Sequence, residues 1–330
     1  MKQYTHARRV GLTAIAAALL LRLWSMGLPE RLVKWLQSTD GAAFLIYAET
    51  GRNVRFSPPL EAFSPDFVES PPASAPAETL PEKPAFLESE VPEITYAANK
   101  NPDLAALLTQ PLEWELYGDA PTVLILHTHS TESYTKKGED YVESSSWRTL
   151  SEEYNMLSIG AEVAEILTEA GISTIQDREL HDYPSYNGSY VDARKSLQAY
   201  LEEYPTIRLV LDLHRDASGG ENGQLRTLAQ VSGEDSAQLM VVLGTNYKTY
   251  EENLSLGLKL HAQLERQTPG IMRPLQLRAQ RFNQDLCPGA LLIEVGAAGN
   301  SHKEAMIAAR QLAKAIIALG NGSEECEVRS

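Results

Sequence analysis

Residues 122–134 read TVLILHTHSTESY. Their first five residues, Thr122–Leu126, are an apolar run too short for a buried helix and the right length for a strand covered on both faces. The run then gives way to His127, His129 and Glu132, three ionisable side chains within six residues. A buried strand ending this way fits an open α/β sheet, where sites form outside the carboxyl ends of strands.

The same rhythm continues outward from this stretch. Glu153–Ala170 places Met156, Ile159, Val163, Ile166 and Leu167 on one helical face, and Gly171 stops it. Ile172–Ile175 returns to strand, Val191–Leu201 to helix, and Thr206–Leu213 (TIRLVLDL) to buried strand. Leu239–Leu243 (LMVVL) is another strand, followed by an amphipathic helix whose stripe of Leu254, Leu258, His261 and Leu264 makes His261 a core residue. Ala290–Val295 (ALLIEV) is the last strand. Ser301 and Glu304 then stand at capping-box spacing before a helix that ends at Leu319. Strands alternating with helices predict an α/β fold, a mostly parallel sheet with helices on both faces.

Composition sets the remaining bounds. The 330-residue chain is 43% hydrophobic and 22% charged, an ordinary globular balance, and its net charge of -15 argues against a nucleic-acid partner. Cys287 and Cys326 are too few for a disulfide framework or a cysteine-based zinc site, and read as free thiols. Near the start, Lys2, Arg8 and Arg9 precede an apolar stretch, Val10–Leu28, interrupted only at Arg22. As a helix it would span roughly 28 Å, enough for a bilayer with Arg22 snorkelling. Residues 1–40 are therefore expected to hold an uncleaved signal-anchor and a juxtamembrane segment, giving a single-pass cell-membrane protein whose bulk lies outside the cytoplasm.

Residues 41–57 are expected to form a short apolar element, AAFLIYAETGRNVRF at its heart. Residues 58–92 then hold nine of the 18 prolines and no glycine, and 58–97 carry eight acids against Lys83 alone. Residues 58–104 are expected to be an extended acidic linker. The catalytic domain is expected at 105–322, with a polar tail at 323–330.

Three inferred strands end in ionisable groups: HTHSTE after the first, Asp212-Leu-His214-Arg215-Asp216 at the second, and Glu294 in the last. A catalytic zinc site needs three N/O ligands and an open position. His129 and Glu132 form an H-x-x-E pair, His214 completes a His₂Glu set, and Glu294 is the spare carboxylate for proton transfer. His127 competes with His129, since strand periodicity points both to one side. Glu153 competes with Glu132, although a first-turn glutamate also suits the helix dipole. Asp212 and Asp216 are read as groups orienting His214 or Arg215. Arg215 either grips a substrate carboxylate or pairs with one of these aspartates. The loop HDYPSYNGSY (181–190), with Tyr186 its candidate substrate contact, either lines a cleft for sugar or peptide or packs as an aromatic loop.

HTHSTESY, HDYPSYNGSY, LDLHRDA and NQDLCPGALLIEVG, in this order, resemble the stage II sporulation protein P family over roughly residues 105–320 and around FLIYAETGR. The resemblance implies a zinc cell-wall amidase fold and cleavage of the N-acetylmuramoyl–L-alanine bond of peptidoglycan, with endopeptidase action on crosslinks, during endospore engulfment. It implies Zn2+ as cofactor, and the sporulation membrane protein M and glycan-cleaving protein D of the same stage as partners. His127 or His129, His214 and Glu294 carry over as the site. Cys287 stands where the family pattern leads one to expect a small residue, and its thiolate could capture zinc if it lay near the site. The competing readings are a zinc carboxypeptidase-like peptidase, with Arg215 holding the terminal carboxylate, and a non-catalytic peptidoglycan-binding component.

Overall fold

The computed structural model describes residues 83–135, 147–217, 219–220 and 223–321. The expected anchor (1–40), apolar element (41–57) and tail (323–330) lie outside them. Among the described residues no helix is long and apolar enough to cross a membrane.

Seven strands make one sheet: β1 (Ile94–Ala97), β2 (Gly118–Leu126), β3 (Ile172–Gln176), β4 (Leu209–Asp216), β5 (Leu239–Gly244), β6 (Leu275–Arg278) and β7 (Ala290–Ala297). Their spatial order is β1-β6-β5-β7-β4-β2-β3. The helices are α1 (Leu104–Thr109), α2 (Met156–Glu169), α3 (Ser189–Glu203), α4 (Tyr250–Gln267) and α5 (His302–Asn321).

Five of the six strand pairs are parallel, and only β5 and β7 run antiparallel. A parallel neighbour needs a crossover, usually a helix, to carry the chain back to the opposite edge. Between β4 and β5 the described chain instead forms two short antiparallel ladders, 219–220 with 223–224 and 229–231 with 234–236. The chain therefore re-enters the sheet from the edge it left, and β5 runs the other way.

Alternation along the strands sorts the two faces. Val123, Ile125, Leu209, Leu211, Leu213, Leu291 and Ile293 pack in one large core with residues of α2, α4 and α5. On the opposite face Leu124, Leu126, Val210 and Ala290 pack against Ala193 and Leu197 of α3. Farther along that face Met240, Val242 and Leu292 form a small cluster covered by Phe282, with no helix contributing. The uncovered part of this face is where a cleft can open.

Of the boundaries that differ from the sequence expectation, three have a specific cause. Helix α2 starts at Met156 rather than Glu153, because the Asn155 side chain accepts from Leu157 N (3.0 Å) and caps the helix there. Strand β4 runs on to Asp216, since His214 and Asp216 pair with Glu294 and Ala297 of β7. The third difference lies in the expected linker, whose last residues are ordered: β1 pairs with β6 from Ile94–Leu275 to Ala97–Arg278.

Candidate active site

After β2 the chain turns sharply, Glu132 N donating to His129 O (3.1 Å). The turn is pinned from outside. Thr131 N and Oγ1 donate to the Asp182 carboxylate (3.1 and 2.7 Å), and Ser130 Oγ donates to Glu179 O (2.7 Å). This anchoring separates the two histidines. His127 is fully buried: the Gln176 amide donates to its Nε2 (3.0 Å) and its Nδ1 lies 3.4 Å from Leu213 O. Helix α2 closes over it at Gly160, where a Cβ would meet His127 Nε2 at 2.4 Å. His129, by contrast, lines the cleft. Burial holds both imidazoles at about 4, so both are neutral.

The other sequence-predicted groups gather around His129. Its ring stands edge-on to His214, centroids 5.1 Å apart. His214 of β4 faces Glu294 of β7 as register partners, on the α3 side of the sheet. Glu132 Oε2 lies 3.8 Å from His214 Nδ1 and accepts from Arg215 N (3.2 Å). Asp212 Oδ1 lies 3.0 Å from His214 Nε2, out of line for a hydrogen bond, and its carboxylate accepts from Thr128 N and Oγ1 (2.9 and 2.7 Å). Asp212 thus ties His214 to the end of β2.

The charges are set by these neighbours. Burial alone would lower His214, but Asp212, Glu132 and Glu294 outweigh it and hold its pKa at about 9. Burial opposes ionisation of Asp212, yet His214 and the Thr128 donors bring it to about 2. Burial would likewise raise Glu132, but Arg215, His214, His129 and Arg148 keep it below the usual range. Glu294 goes the other way: burial, reinforced by Glu132 and Asp216, pushes it up to about 8.

These residues line a cavity of about 300 Å³ floored by Met240, Val242 and Leu292. The HDYPSYNGSY segment is one wall. Tyr186, half-exposed, stacks on His129 (centroids 4.5 Å, planes 22° apart), and Tyr190 stacks over His214 at 6.3 Å. Arg148 sits over the Tyr186 ring at 4.5 Å.

Arg215 departs from its expected role. It is buried, its Nε donating to Ser133 O and its Nη2 to Trp147 O (both 2.9 Å), with Glu132 at 3.5 Å. It braces the turn that carries Glu132, and its guanidinium is committed to that turn. Asp216 accepts from Arg273 (2.8 Å). Glu153 is exposed, in the turn before α2. Cys287 is buried against α3, outside the residues lining the cleft, and burial raises its thiol pKa. Tyr190, Gln176 and Arg148 escaped the sequence reading. Tyr190 at least ends the quoted aromatic loop, whereas nothing in the sequence around Arg148 or Gln176 marks them.

The donor set can be tested for a cation. His129 Nδ1, His214 Nε2 and Glu294 Oε2 are buried with no hydrogen-bond partner, which is costly unless something else satisfies them. Two imidazoles and nearby carboxylates suit zinc in kind. Among the described residues, however, no group of three His, Cys, Asp or Glu side chains is drawn together closely enough to hold a metal as they stand. The donors fit in chemistry and burial, and the described arrangement leaves them unclosed.

The chain matches the family described as Stage II sporulation protein P over residues 42–317. It is 28% identical over 209 residues to Stage II sporulation protein P of Bacillus subtilis (strain 168), an alignment covering 59% of this chain and 50% of that protein. The chain thus spans about half the length of the curated relative it matches. It is also similar to N-acetylmuramoyl-L-alanine amidase AmiC2 of Nostoc punctiforme, at 14% identity over 62% of this chain and 96% of that one (TM-score 0.36). The CwlD amidase from Clostridioides difficile, solved in complex with the GerS lipoprotein, gives 14% identity, 60% and 95% coverage and a TM-score of 0.39. Because the family match runs through the whole described sheet to α5, the chain belongs to the Stage II sporulation protein P family.

Proposed function

We propose that this protein is a sporulation peptidoglycan hydrolase that cleaves the N-acetylmuramoyl–L-alanine amide bond, and peptide crosslinks as a second activity. Its place is the cell membrane at endospore engulfment, held by the N-terminal anchor with the catalytic domain outside the cytoplasm. Membrane protein M and the glycan-cleaving protein D of stage II would act beside it. The observation that carries the reading is Glu294: a carboxyl held at about 8, unpartnered at Oε2, beside His214 in an open cleft.

His129 and His214, with Glu132, would hold zinc, which when bound supplies Lewis-acid polarisation of the scissile carbonyl. Glu294 takes a proton from the attacking water and returns it to the leaving amine. A pKa near the working pH suits both directions of transfer. Asp212 orients His214, and Arg215 fixes Glu132. Tyr186 and Tyr190 offer aromatic surface to the substrate. The carboxypeptidase reading loses its anchor, because Arg215 is committed to Glu132 and two carbonyls.

The full chain should release intact stem peptides from purified peptidoglycan and stop on adding a chelator. Glu294→Gln should lower the rate by at least roughly 100-fold, with the thermal melt unchanged. Full activity in that variant would end the mechanism, and release of free terminal amino acids would favour a peptidase.

A further inference from the structure

In a chain of net charge -15, two exposed arginines beside the cleft stand out. Arg278 ends β6 on the cleft-facing side, and among the described residues its guanidinium donates only to the neutral Gln276 Oε1, with Nε at 2.9 Å. Among the described residues it has no carboxylate partner. Arg281 has Asp285 at 3.7 Å, but that carboxylate already accepts from both Arg194 Nη atoms at 2.8 Å. Nearby Arg273, by comparison, has its own acid in Asp216 at 2.8 Å.

The loop bearing Arg281, which follows Arg278 directly, is held firmly. Gln280 O accepts from Thr245 N and Asn246 N (3.1 and 3.3 Å), and Asn283 Nδ2 donates to Tyr190 O (2.8 Å). Gly244 permits the close approach, since a Cβ there would meet Gln280 O at 2.5 Å. Phe282 and Asn283 sit in the left-handed region (φ 51 and 57), a conformation kept only where surroundings enforce it. Such a loop fixes the backbone from which Arg281 projects.

Register gives the span. Glu294 lies opposite Met240, and Arg278 opposite Gly244, four residues on and one strand beyond β5. The two Cα positions are then roughly 16 Å apart on one face of the sheet, a span that a short extended peptide crosses.

We infer that Arg278, with Arg281 past the Phe282 wall, recognises free carboxylates of the peptide at the far end of the cleft from the bond that is cleaved. The inference rests on the peptidoglycan reading and names the part of the substrate that these residues select. An Arg–carboxylate contact at an exposed rim contributes specificity more than bulk affinity.

The test is binding of a muramoyl tripeptide with free carboxylates, and of its carboxamide counterpart, to the full chain, with hydrolysis followed in parallel. The wild type should prefer the free acid by roughly three- to tenfold, expressed in KM rather than kcat and shrinking as salt rises. Arg278→Gln should abolish the preference, and Arg278→Lys should restore part of it. Equal preference in Arg278→Gln and wild type, or no preference in the wild type, overturns the inference. A preference in binding without hydrolysis of either ligand would end the hydrolase reading and leave the recognition standing.

Discussion

His127 and His129 are two residues apart, yet they do different work. Gln176 donates to His127 and Gly160 lets α2 close over it. His129 emerges one turn later into the cleft, its Nδ1 unpartnered. Metal analysis and melts of the full chain should therefore separate them. On the proposed zinc site, His127→Ala should retain the metal but lose about 2–4 kcal/mol, from the cavity and the unpaired Gln176 amide. His129→Ala should melt near wild type and lose the metal. Zinc lost from the first variant and kept by the second would reverse the assignment. From sequence only the H-x-x-E spacing to Glu132 favoured His129, because alternation points both histidines to the same side, while the turn at 129–132 changes where the second one goes.

Helix α4 carries a lysine where its apolar stripe should be. Lys259 is about 1% exposed, and its Nζ donates to Leu107 O of α1 and to Ser255 Oγ (both 2.7 Å). No carboxylate balances it among these partners, and burial lowers its pKa to about 8. Unfolding restores the ordinary value of 10.5, so between pH 8 and 10.5 the unfolded chain binds the extra proton. Stability should then rise with pH across that window, by on the order of 2–3 kcal/mol. In Lys259→Met that slope should vanish, and at pH 7 the variant should be at least as stable, since Ser255 Oγ still satisfies Leu107 O (2.7 Å). Denaturant titrations at pH 7 and 9.5 check both statements. A variant that is much less stable at pH 7 would show that the lysine contributes more as a strut than its burial costs. The elements themselves were largely readable: the apolar strands β2, β5 and β7 and the stripe of α2 follow from period alone. The exact start of α2 was not, since one Asn155 cap overrode the first-turn glutamate.

For the whole molecule, the sheet begins earlier than composition suggests. The proline-rich, acidic stretch reads as unfoldable, yet its end supplies Phe86, 7% exposed beneath Arg266, and the edge strand β1. A chain starting at residue 105 should be less stable than one starting at 83 by on the order of 2–4 kcal/mol. Its β6 amides should also exchange faster, because β6 becomes the sheet edge. Equal melts for the two chains would mean that the β1–β6 pairing contributes nothing.

By itself, the sequence determined the alternation of strands and helices, the α/β class and the three strand ends that bear His129, His214 and Glu294. Those are matters of local period and residue type, which a single chain displays along its length. Only the tertiary structure decided that β5 runs against β7, that His127 belongs to the core and that Arg215 is committed to Glu132. Each of these depends on a partner tens of residues away, and which partner a side chain meets is fixed by packing rather than by its neighbours in sequence.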